Sequence, residues 1–197
     1  GVSGMNAAEI ALGMQADVWI LDKNVAQLRQ VDRVYRGHAQ TITSNLYEVE
    51  KAVLDADLVI GAVLVPGAKA PTLVSNDLVS RMRAGSVLVD IAIDQGGCFE
   101  DSRPTTHDNP TYRVHNSIFY CVANMPGAVP HTSTYALTNV TLPYAVELAN
   151  HGWRATLAAD PALALGLNTH DGRITYGPVA EAHAMETVDL AEVLAEG

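Results

Sequence analysis

The alternation of helical and strand patterns along residues 3–122 constrains the fold of this chain more than any other feature. Small and apolar residues recur at helical spacing over residues 3–15, and an apolar strand pattern follows over residues 17–21. Helical patterns then separate further strand patterns at residues 39–43, 58–60, 86–91 and 117–122, and the strand at 58–60 is predicted to be fully buried. Such alternation is typical of βαβ units that build a parallel sheet. The sequence therefore predicts an α/β fold with a doubly wound parallel sheet.

The helix that begins at Asn24 is predicted to bury Val25, Leu28, Val31, Val34 and Tyr35. Ser75 is predicted to cap a helix over residues 76–82, and residues 94–110 are predicted to form a long loop.

This alternation stops after Pro126. Helical patterns cover residues 132–149, where Pro143 predicts an interruption, and residues 156–167. A small amphipathic helix is predicted near residues 187–194. We therefore expect the last part of the chain to leave the sheet domain and to pack elsewhere.

The composition predicts a globular chain and excludes several classes of partner. Apolar residues make up 48% of the chain and charged residues 17%, which is enough apolar surface for a core. The formal net charge is -10 and no run of Lys or Arg occurs, so nucleic-acid binding has little electrostatic support. No apolar stretch approaches the length of a membrane span. Cys98 and Cys121 lack metal-ligand spacing and are interpreted as reduced, core-packed thiols of a cytoplasmic protein.

The first four residues, Gly-Val-Ser-Gly, are typical of the back half of the dinucleotide-binding motif G-x-G-x-x-G. Gly1 would let the backbone approach a pyrophosphate, and Gly4 would let the first helix pack closely on its strand. The N-terminus of that helix would offer N–H groups and a positive dipole end to the phosphates. The first glycine of the motif and the strand before it are missing. We therefore expect a sheet without its first strand, in a chain that is a piece of a longer protein.

Asp22 ends the strand that follows this motif, eighteen residues after Gly4. A carboxylate at this place accepts hydrogen bonds from the ribose hydroxyls of the adenosine, and its charge disfavours the 2′-phosphate of NADP. The pattern therefore favours NAD. A glycine-tolerant helix start followed by an ordinary strand-ending aspartate is the alternative.

Three loops follow strands of the predicted sheet, where doubly wound folds bind their ligands. The small residues at 61–64 could let the backbone approach a ribose or an adenine. Asp94 follows an apolar strand and precedes two glycines, so its carboxylate could orient a nicotinamide ribose or relay a proton. An aspartate that merely starts a Gln-Gly turn is the alternative. In the third loop Asn124 offers amide groups, and Met125 offers an apolar lid over a planar ring.

Long segments of the chain closely resemble the alanine dehydrogenase family, namely residues 58–71, 87–100, 102–106, 120–126 and 132–139. The resemblance implies an oxidoreductase that interconverts L-alanine with pyruvate and ammonia, uses NAD and forms a homo-hexamer. It implies an NAD-binding Rossmann domain over residues 1–128 and a helical segment over residues 129–197 that packs with the substrate domain. The family's substrate-binding arginine and lysine and its catalytic histidine belong to an N-terminal half that this sequence lacks. We therefore expect this piece alone to be inactive.

The resemblance also implies roles for individual residues. Asp22 would hold the adenosine ribose, Ser44 would lie beside the adenine, and Asp94 would be the active-site aspartate. The full set of predicted cofactor contacts, with the glycine motif included, is Gly1, Val2, Gly4, Asp22, Ser44, Val63, Leu64, Ile91, Ala92, Ile93, Asp94, Arg103, Val122, Ala123, Asn124 and Met125.

Glu147 and His151 stand four residues apart in a helical pattern, so they share one face and could share a cation. The resemblance implies magnesium at this pair in some members of the family. A solvent-facing Glu–His pair without metal is the alternative.

Two other functions are compatible with parts of this sequence pattern. The NAD-binding subunit of proton-translocating transhydrogenase has a similar pattern. It typically has a non-acidic Gln-Asn pair where this chain has Asp94 and Gln95, and a longer insertion before the strand at Leu58. A non-catalytic nucleotide-binding module is the other. Asp94 favours the dehydrogenase over the transhydrogenase subunit, and tight NADH binding without alanine-dependent turnover in the complete protein would favour the non-catalytic module.

Overall fold

The computed structural model describes residues 1–65 and 70–196, and the chain divides into two compact units. The first unit contains the residues up to Leu64 and from Ala70 to Met125. The second unit consists mainly of the residues from Pro126 onward.

The first unit begins with a helix–strand alternation, in the order α1 (Val2–Gly13), β1 (Val18–Asp22), α2 (Val25–Tyr35), β2 (Ala39–Thr43) and α3 (Leu46–Asp55). β1 and β2 pair in parallel, with Asp22 opposite Thr43 at their carboxyl ends. The side chain of Asn24 accepts hydrogen bonds from the first turn of α2 and starts that helix immediately after β1.

The unit continues with β3 (Leu58–Gly61), α4 (Asn76–Ser80), β4 (Val87–Asp90), β5 (Thr111–Val114) and β6 (Ser117–Tyr120). These strands form a four-stranded sheet in the order β3-β4-β6-β5. β3, β4 and β6 run parallel, and β5 is antiparallel to β6. The carboxyl ends of the three parallel strands therefore meet at one edge.

These ladders confirm the prediction of an α/β fold with a parallel sheet. Within residues 1–65 and 70–196, β1 pairs only with β2, and β3 pairs only with β4. One edge of β1 and one edge of β3 thus have no strand beside them, which is the arrangement predicted for a sheet that lacks its first strand. α1 packs against both β1 and β3.

The sequence analysis missed one strand of this unit and misjudged the burial of two other elements. Residues 111–114 were assigned to no element, but they form β5, because a two-residue turn at His115 folds them back onto β6. The β3 strand was predicted to be fully buried, but Leu58 is 51% and Ile60 37% exposed, since the described residues leave this face of the strand uncovered. Val25 and Val34 of α2 are exposed rather than buried.

The core of the first unit lies around β4 and β6. Leu88 and Phe119 are fully buried at its centre, and the rings of Phe99 and Tyr112 pack on Phe119 with centroid distances of 6.1 and 5.4 Å. Such edge-on and tilted ring contacts add to the stabilisation from apolar burial. This packing fixes the strand ends from which the candidate site is built.

The second unit contains α5 (Pro130–Ala159) and a set of short elements. The helical segment was predicted to be interrupted at Pro143, but α5 passes through Pro143 and breaks at Gly152, which adopts φ 75° and ψ 159°. A proline inside a helix removes one N–H donor, whereas this backbone conformation is open mainly to glycine. The short elements are α6 (Pro161–Ala164), β7 (Thr169–His170), β8 (Arg173–Ile174), α7 (Gly177–Ala182) and α8 (Leu190–Ala195).

The helix predicted over residues 156–167 is therefore divided between the end of α5 and α6. Asp160 ends the first, and its carboxylate accepts hydrogen bonds from the N–H groups of Ala162 and Leu163 to start the second. Much of α5 before the break carries exposed apolar side chains, including Tyr135, Leu137, Val140, Leu142 and Tyr144. In the part of the chain that the structure describes, no helix is long and apolar enough to cross a membrane.

Candidate functional site

The carboxyl ends of β1 and β2 bring Asp22 and Ser44 together. The Ser44 N–H donates a 3.0 Å hydrogen bond to the Asp22 carbonyl oxygen. The Asp22 carboxylate accepts a 2.8 Å hydrogen bond from the Asn24 N–H through Oδ1, and Oδ2 makes no hydrogen bond to a described residue. A half-exposed carboxylate with a spare oxygen can accept a hydrogen bond from a ribose hydroxyl.

No side chain of the described residues caps the N-terminus of α1. Gly1 is its N-cap residue, and the first turn contains no acidic residue. The N–H groups of that turn are therefore available to an anion, and the helix dipole favours one. Gly4 lies against the end of β3, where an added Cβ would be 3.5 Å from the Ala62 Cβ, an ordinary van der Waals distance.

The loops that follow β3, β4 and β6 leave the sheet beside one another. Gly61 lies opposite Asp90 in the β3–β4 register, and Val89 lies opposite Tyr120 in the β4–β6 register. Val63 is half-buried and Leu64 is exposed in the first of these loops. The family resemblance extends along this loop through residues 66–69, which lie outside the described residues.

The loop after β4 is a 3-10 turn over Ile91–Gln95 that ends at two glycines. Gly96 and Gly97 adopt left-handed φ values of 88° and 79°, and their N–H groups donate to the carbonyls of Ile93 and Ala92 at 3.0 and 3.1 Å. Asp94 is exposed, and its carboxylate has no hydrogen bond or ion pair to a described residue. The turn thus presents one uncommitted carboxylate to solvent.

The three predicted cofactor contacts that precede Asp94 differ in the exposure of their side chains. Ala92 and Ile93 are only 6% and 4% exposed, so their side chains belong to the core, and they can offer a ligand little beyond backbone groups. Ile91 is half-buried.

The loop after β6 combines buried and exposed residues. Val122 is fully buried, and the Ala123 N–H donates to the Thr105 carbonyl at 3.2 Å. Asn124 is exposed in the left-handed region at φ 57°, and its carbonyl lies 3.3 Å from the His107 Nε2. Met125 is half-buried. Asn124 therefore has its amide side chain available at this edge.

Arg103 was predicted among the cofactor contacts and lies in the segment that leads to β5. Its guanidinium carbon stands 4.0 Å from the centroid of the Tyr112 ring, and the backbone N–H of Arg103 donates to the Tyr112 hydroxyl at 3.0 Å. The hydroxyl in turn donates to the Asp101 carbonyl at 2.8 Å. These contacts fix the position of an exposed cation.

The sequence analysis missed Asp90, the last residue of β4. Its carboxylate is fully buried and accepts hydrogen bonds from the Ala92 N–H at 2.9 Å and the Cys98 N–H at 2.8 Å. The Ser102 hydroxyl donates to the same carboxylate. An acidic residue that closes an otherwise apolar buried strand was the available signal, because a buried carboxylate needs several donors.

Cys98 was predicted to be a packed core thiol, and the structure confirms this. It is a free cysteine with no exposed surface. Burial, followed by the nearby charge of Asp90, raises the pKa of the Cys98 thiol far above its ordinary value of 9.0. The thiol therefore stays protonated and is a poor nucleophile.

This raised pKa predicts a loss of stability in alkali. The folded chain keeps the Cys98 proton to higher pH than the unfolded chain, so the stabilisation is complete below about pH 9 and falls above it. The free energy of unfolding should fall by about 1.4 kcal/mol per pH unit above pH 9 because of this one group. Denaturant unfolding of wild type and Cys98→Ala at several pH values measures the difference between their slopes. Parallel pH profiles would contradict the assignment.

The Glu147 and His151 side chains lie on α5 and bind each other. The Glu147 Oε2 and the His151 Nδ1 are 3.0 Å apart, and the two side chains are 58% and 60% exposed. The described residues contain no group of three or more His, Cys, Asp or Glu side chains placed to hold a metal ion. Magnesium prefers six oxygen ligands, so one carboxylate and one imidazole that already bind each other do not fit it.

Comparisons with known proteins agree with this geometry. The family model described as "Alanine dehydrogenase/PNT, C-terminal domain" matches residues 1–177. The chain is 60% identical over 195 residues to alanine dehydrogenase of Mycolicibacterium smegmatis, covering 99% of this chain and 53% of that protein. It is 55% identical over 195 residues to alanine dehydrogenase of Geobacillus stearothermophilus, covering 98% of this chain and 52% of that protein. The chain thus spans about half the length of these curated relatives.

Solved structures give the same result. The chain superposes on an L-alanine dehydrogenase with a TM-score of 0.82 and 49% identity, covering 93% of this chain and 51% of that one. A transhydrogenase from Sinorhizobium meliloti matches with a TM-score of 0.62 and 26% identity over 68% of this chain and 39% of that one. The family model matches residues 1–177 of this chain, which is most of its length. The chain therefore belongs to the alanine dehydrogenase/PNT C-terminal domain family.

Proposed function

We propose that the whole protein containing this chain is an NAD-dependent alanine dehydrogenase. The reaction is L-alanine + NAD+ + H2O → pyruvate + NH4+ + NADH + H+. The observation that carries the proposal is the exposed carboxylate of Asp94, which has no partner among the described residues and follows β4 at the shared carboxyl edge of β3, β4 and β6. The identity of 55–60% to proteins named alanine dehydrogenase supports this reaction.

The residues of the first unit suit a dinucleotide. The uncapped N-terminus of α1 would bind the pyrophosphate with its N–H groups, and Asp22 would accept a ribose hydroxyl, with Ser44 beside the adenine. NAD, when bound, supplies the nicotinamide ring that takes up hydride. The loops after β3, β4 and β6 would line its nicotinamide end, with Leu64, Asn124 and Met125 as surface contacts and Ala92 and Ile93 contributing backbone groups.

Asp94 would touch both cofactor and substrate. Its carboxylate would orient the nicotinamide ribose while the alanine Cα gives up hydride and the amine becomes an iminium. It would then help to move protons between the amine, the attacking water and the main acid/base, which we expect to be a histidine of the N-terminal half. Water adds to the iminium, and the C–N bond breaks to release ammonia and pyruvate.

Two assays of the purified whole protein test the proposal. One offers L-alanine as the hydride donor to NAD+, and the other offers a reduced nicotinamide nucleotide as the hydride donor to NAD+ or an analogue of it. Absorbance at 340 nm should rise with L-alanine and NAD+, and pyruvate should accumulate in equal amount. Hydride transfer between two nucleotides without any response to L-alanine would instead identify a transhydrogenase-type protein. Tight NADH binding without turnover in either assay would identify a non-catalytic nucleotide-binding module.

Asp22 gives a prediction about cofactor choice. Asp22→Ala removes the ribose-binding carboxylate, and hydrogen bonds to charged groups contribute about 1.5–3 kcal/mol, so NADH affinity should fall roughly 10-fold to 100-fold. Discrimination against NADPH should weaken at the same time, because a negative charge is lost. Fluorescence titration of the whole protein with NADH and NADPH measures both effects.

Asp17→Ala is the matched control for this titration, since Asp17 precedes the amino end of the same strand and contacts Gln40 instead. Its NADH affinity should equal that of wild type. Unchanged preference between NADH and NADPH in Asp22→Ala would reject the ribose role.

Further properties of the whole protein belong to this proposal. We expect residues 1–128 to act as the NAD-binding domain and residues 129–197 to pack with a substrate domain. The exposed apolar residues of α5 support an oligomer, and the number of six subunits comes from the family resemblance alone.

Two unpaired thiols support the cytoplasm as the compartment of the whole protein. Magnesium at Glu147 and His151 stays a prediction that the chemistry of the pair does not favour.

A further inference from the structure

We propose that Asp90 is a positioning residue that holds the Asp94 turn in shape for the reaction. The proposal concerns a buried carboxylate that has no part in the chemistry described above, and it rests on the function proposed for Asp94. Asp90 ends β4, four residues before Asp94, and it has no exposed surface.

Both oxygens of the Asp90 carboxylate act as acceptors. Oδ1 accepts the Ala92 N–H at 2.9 Å, at the start of the turn. Oδ2 accepts the Cys98 N–H at 2.8 Å, beyond the end of the turn, together with the Ser102 hydroxyl. One side chain therefore joins the two ends of the segment that carries Asp94.

Ala92, which is hydrogen-bonded to Asp90, also forms the hydrogen bond that joins the start of the turn to its end. Ala92 donates its N–H to Asp90 and accepts the Gly97 N–H at its carbonyl, at 3.1 Å. The backbone beyond the turn is also anchored, because the Leu73 N–H donates to the Cys98 carbonyl at 2.7 Å. Between these fixed points, Asp94 has little freedom to move relative to β4.

Gly97 makes room for this arrangement. A Cβ at this position would lie 2.9 Å from the Asp90 Oδ2 and 2.5 Å from the Ser102 Cβ, and Gly97 has φ +79°. The backbone thus passes closer to the carboxylate than any residue with a side chain would allow. The buried carboxylate therefore accounts for the glycine at position 97.

Only a carboxylate satisfies these donors. Asparagine has the same shape but one acceptor oxygen, so its NH2 group would face an N–H group on one side. A buried donor left without an acceptor is costly, and the turn would rearrange to avoid it. Since a displacement of about 1 Å can lower turnover about 100-fold, the effect should reach Asp94.

The test is a double-mutant cycle in the whole protein, with kcat for L-alanine oxidation measured for wild type, Asp90→Asn, Asp94→Asn and the double variant. Asp90→Asn should lower kcat about 10-fold to 100-fold in the wild-type background and less than about twofold in the Asp94→Asn background. An equal factor in both backgrounds would show a general structural effect and overturn the proposal. No effect in either background would overturn it as well.

Ser102→Ala is the second variant, in case Asp90→Asn does not fold. It removes one donor to Oδ2 and leaves the backbone hydrogen bonds of Ala92 and Cys98 in place. Its kcat should fall by about 2-fold to 10-fold, again only when Asp94 is present. A loss of the same size without Asp94, or no loss at all, would contradict the positioning role.

Amide hydrogen exchange separates this proposal from the proposed function. In Asp90→Asn the N–H groups of Ala92 and Cys98 should exchange at least about tenfold faster than in wild type, whether or not L-alanine is oxidised. Unchanged exchange rates would refute the positioning role of Asp90 even if the enzyme were active. An inactive wild-type protein with the expected exchange would refute the alanine reaction alone.

Discussion

Replacing Asp94 by asparagine in the whole protein should lower kcat for L-alanine oxidation by about 100-fold or more, with the NADH dissociation constant changed by less than about threefold. The carboxylate is exposed at the end of β4 and has no partner among the described residues, so its removal leaves the packing of the sheet intact. What is lost is a group that moves protons and orients the nicotinamide ribose. Steady-state kinetics and an NADH fluorescence titration on the same preparation measure the two effects separately.

Asp32→Asn is the control for this comparison. It makes the same change of charge on the exposed side of α2, away from the carboxyl edge of the sheet. Its kcat should match that of wild type. If Asp94→Asn turns over L-alanine as fast as this control, Asp94 is not a catalytic residue.

Replacing Gly61 by alanine should produce a large loss of stability. A Cβ at Gly61 would lie 2.3 Å from the Cys98 Sγ and 2.8 Å from the Phe99 Cζ. Both neighbours are almost fully buried and cannot move aside, so we expect overpacking to cost about 1–3 kcal/mol or more. Denaturant unfolding of the chain measures this change directly.

Gly13→Ala is the matched control, because an added Cβ at the end of α1 would have no described residue within 4 Å apart from its chain neighbours and the backbone of its own helix. Alanine is the better helix former, so this variant should equal or exceed the wild type in stability by up to about 1 kcal/mol. The double variant Gly61→Ala with Cys98→Ala should recover part of the loss by removing the sulfur. Equal stability of the two glycine variants would contradict the packing described for the end of β3.

Local sequence signals predicted the regular part of the fold well. The strand at residues 39–43 has the predicted bounds, and Ser75 caps α4 as expected. These features depend on period and capping, which a short window of sequence contains. The antiparallel β5 was missed because its pairing depends on β6 and on a turn at His115 without Gly or Asn-Gly.

The sequence allowed the exposed acidic residues of the candidate site to be predicted, but not the buried residues and hydrogen bonds that hold them in place. Asp22 and Asp94 could be found because each follows an apolar strand at the edge where such folds bind ligands. The burial of Ala92 and Ile93 could not, since they lie in a 3-10 turn whose direction depends on contacts with the core. Asp90 escaped notice because its donors come from residues 92, 98 and 102, which only the folded turn brings together.

The central claim is that hydride passes directly from the Cα of L-alanine to NAD bound at this edge of the sheet. The most direct measurement uses L-alanine with deuterium at Cα, NAD+ and the whole protein, followed by mass spectrometry of the reduced cofactor. We predict one deuterium in each NADH formed and one pyruvate for each NADH. Reduced cofactor without deuterium, or no L-alanine-dependent reduction at all, would contradict the account.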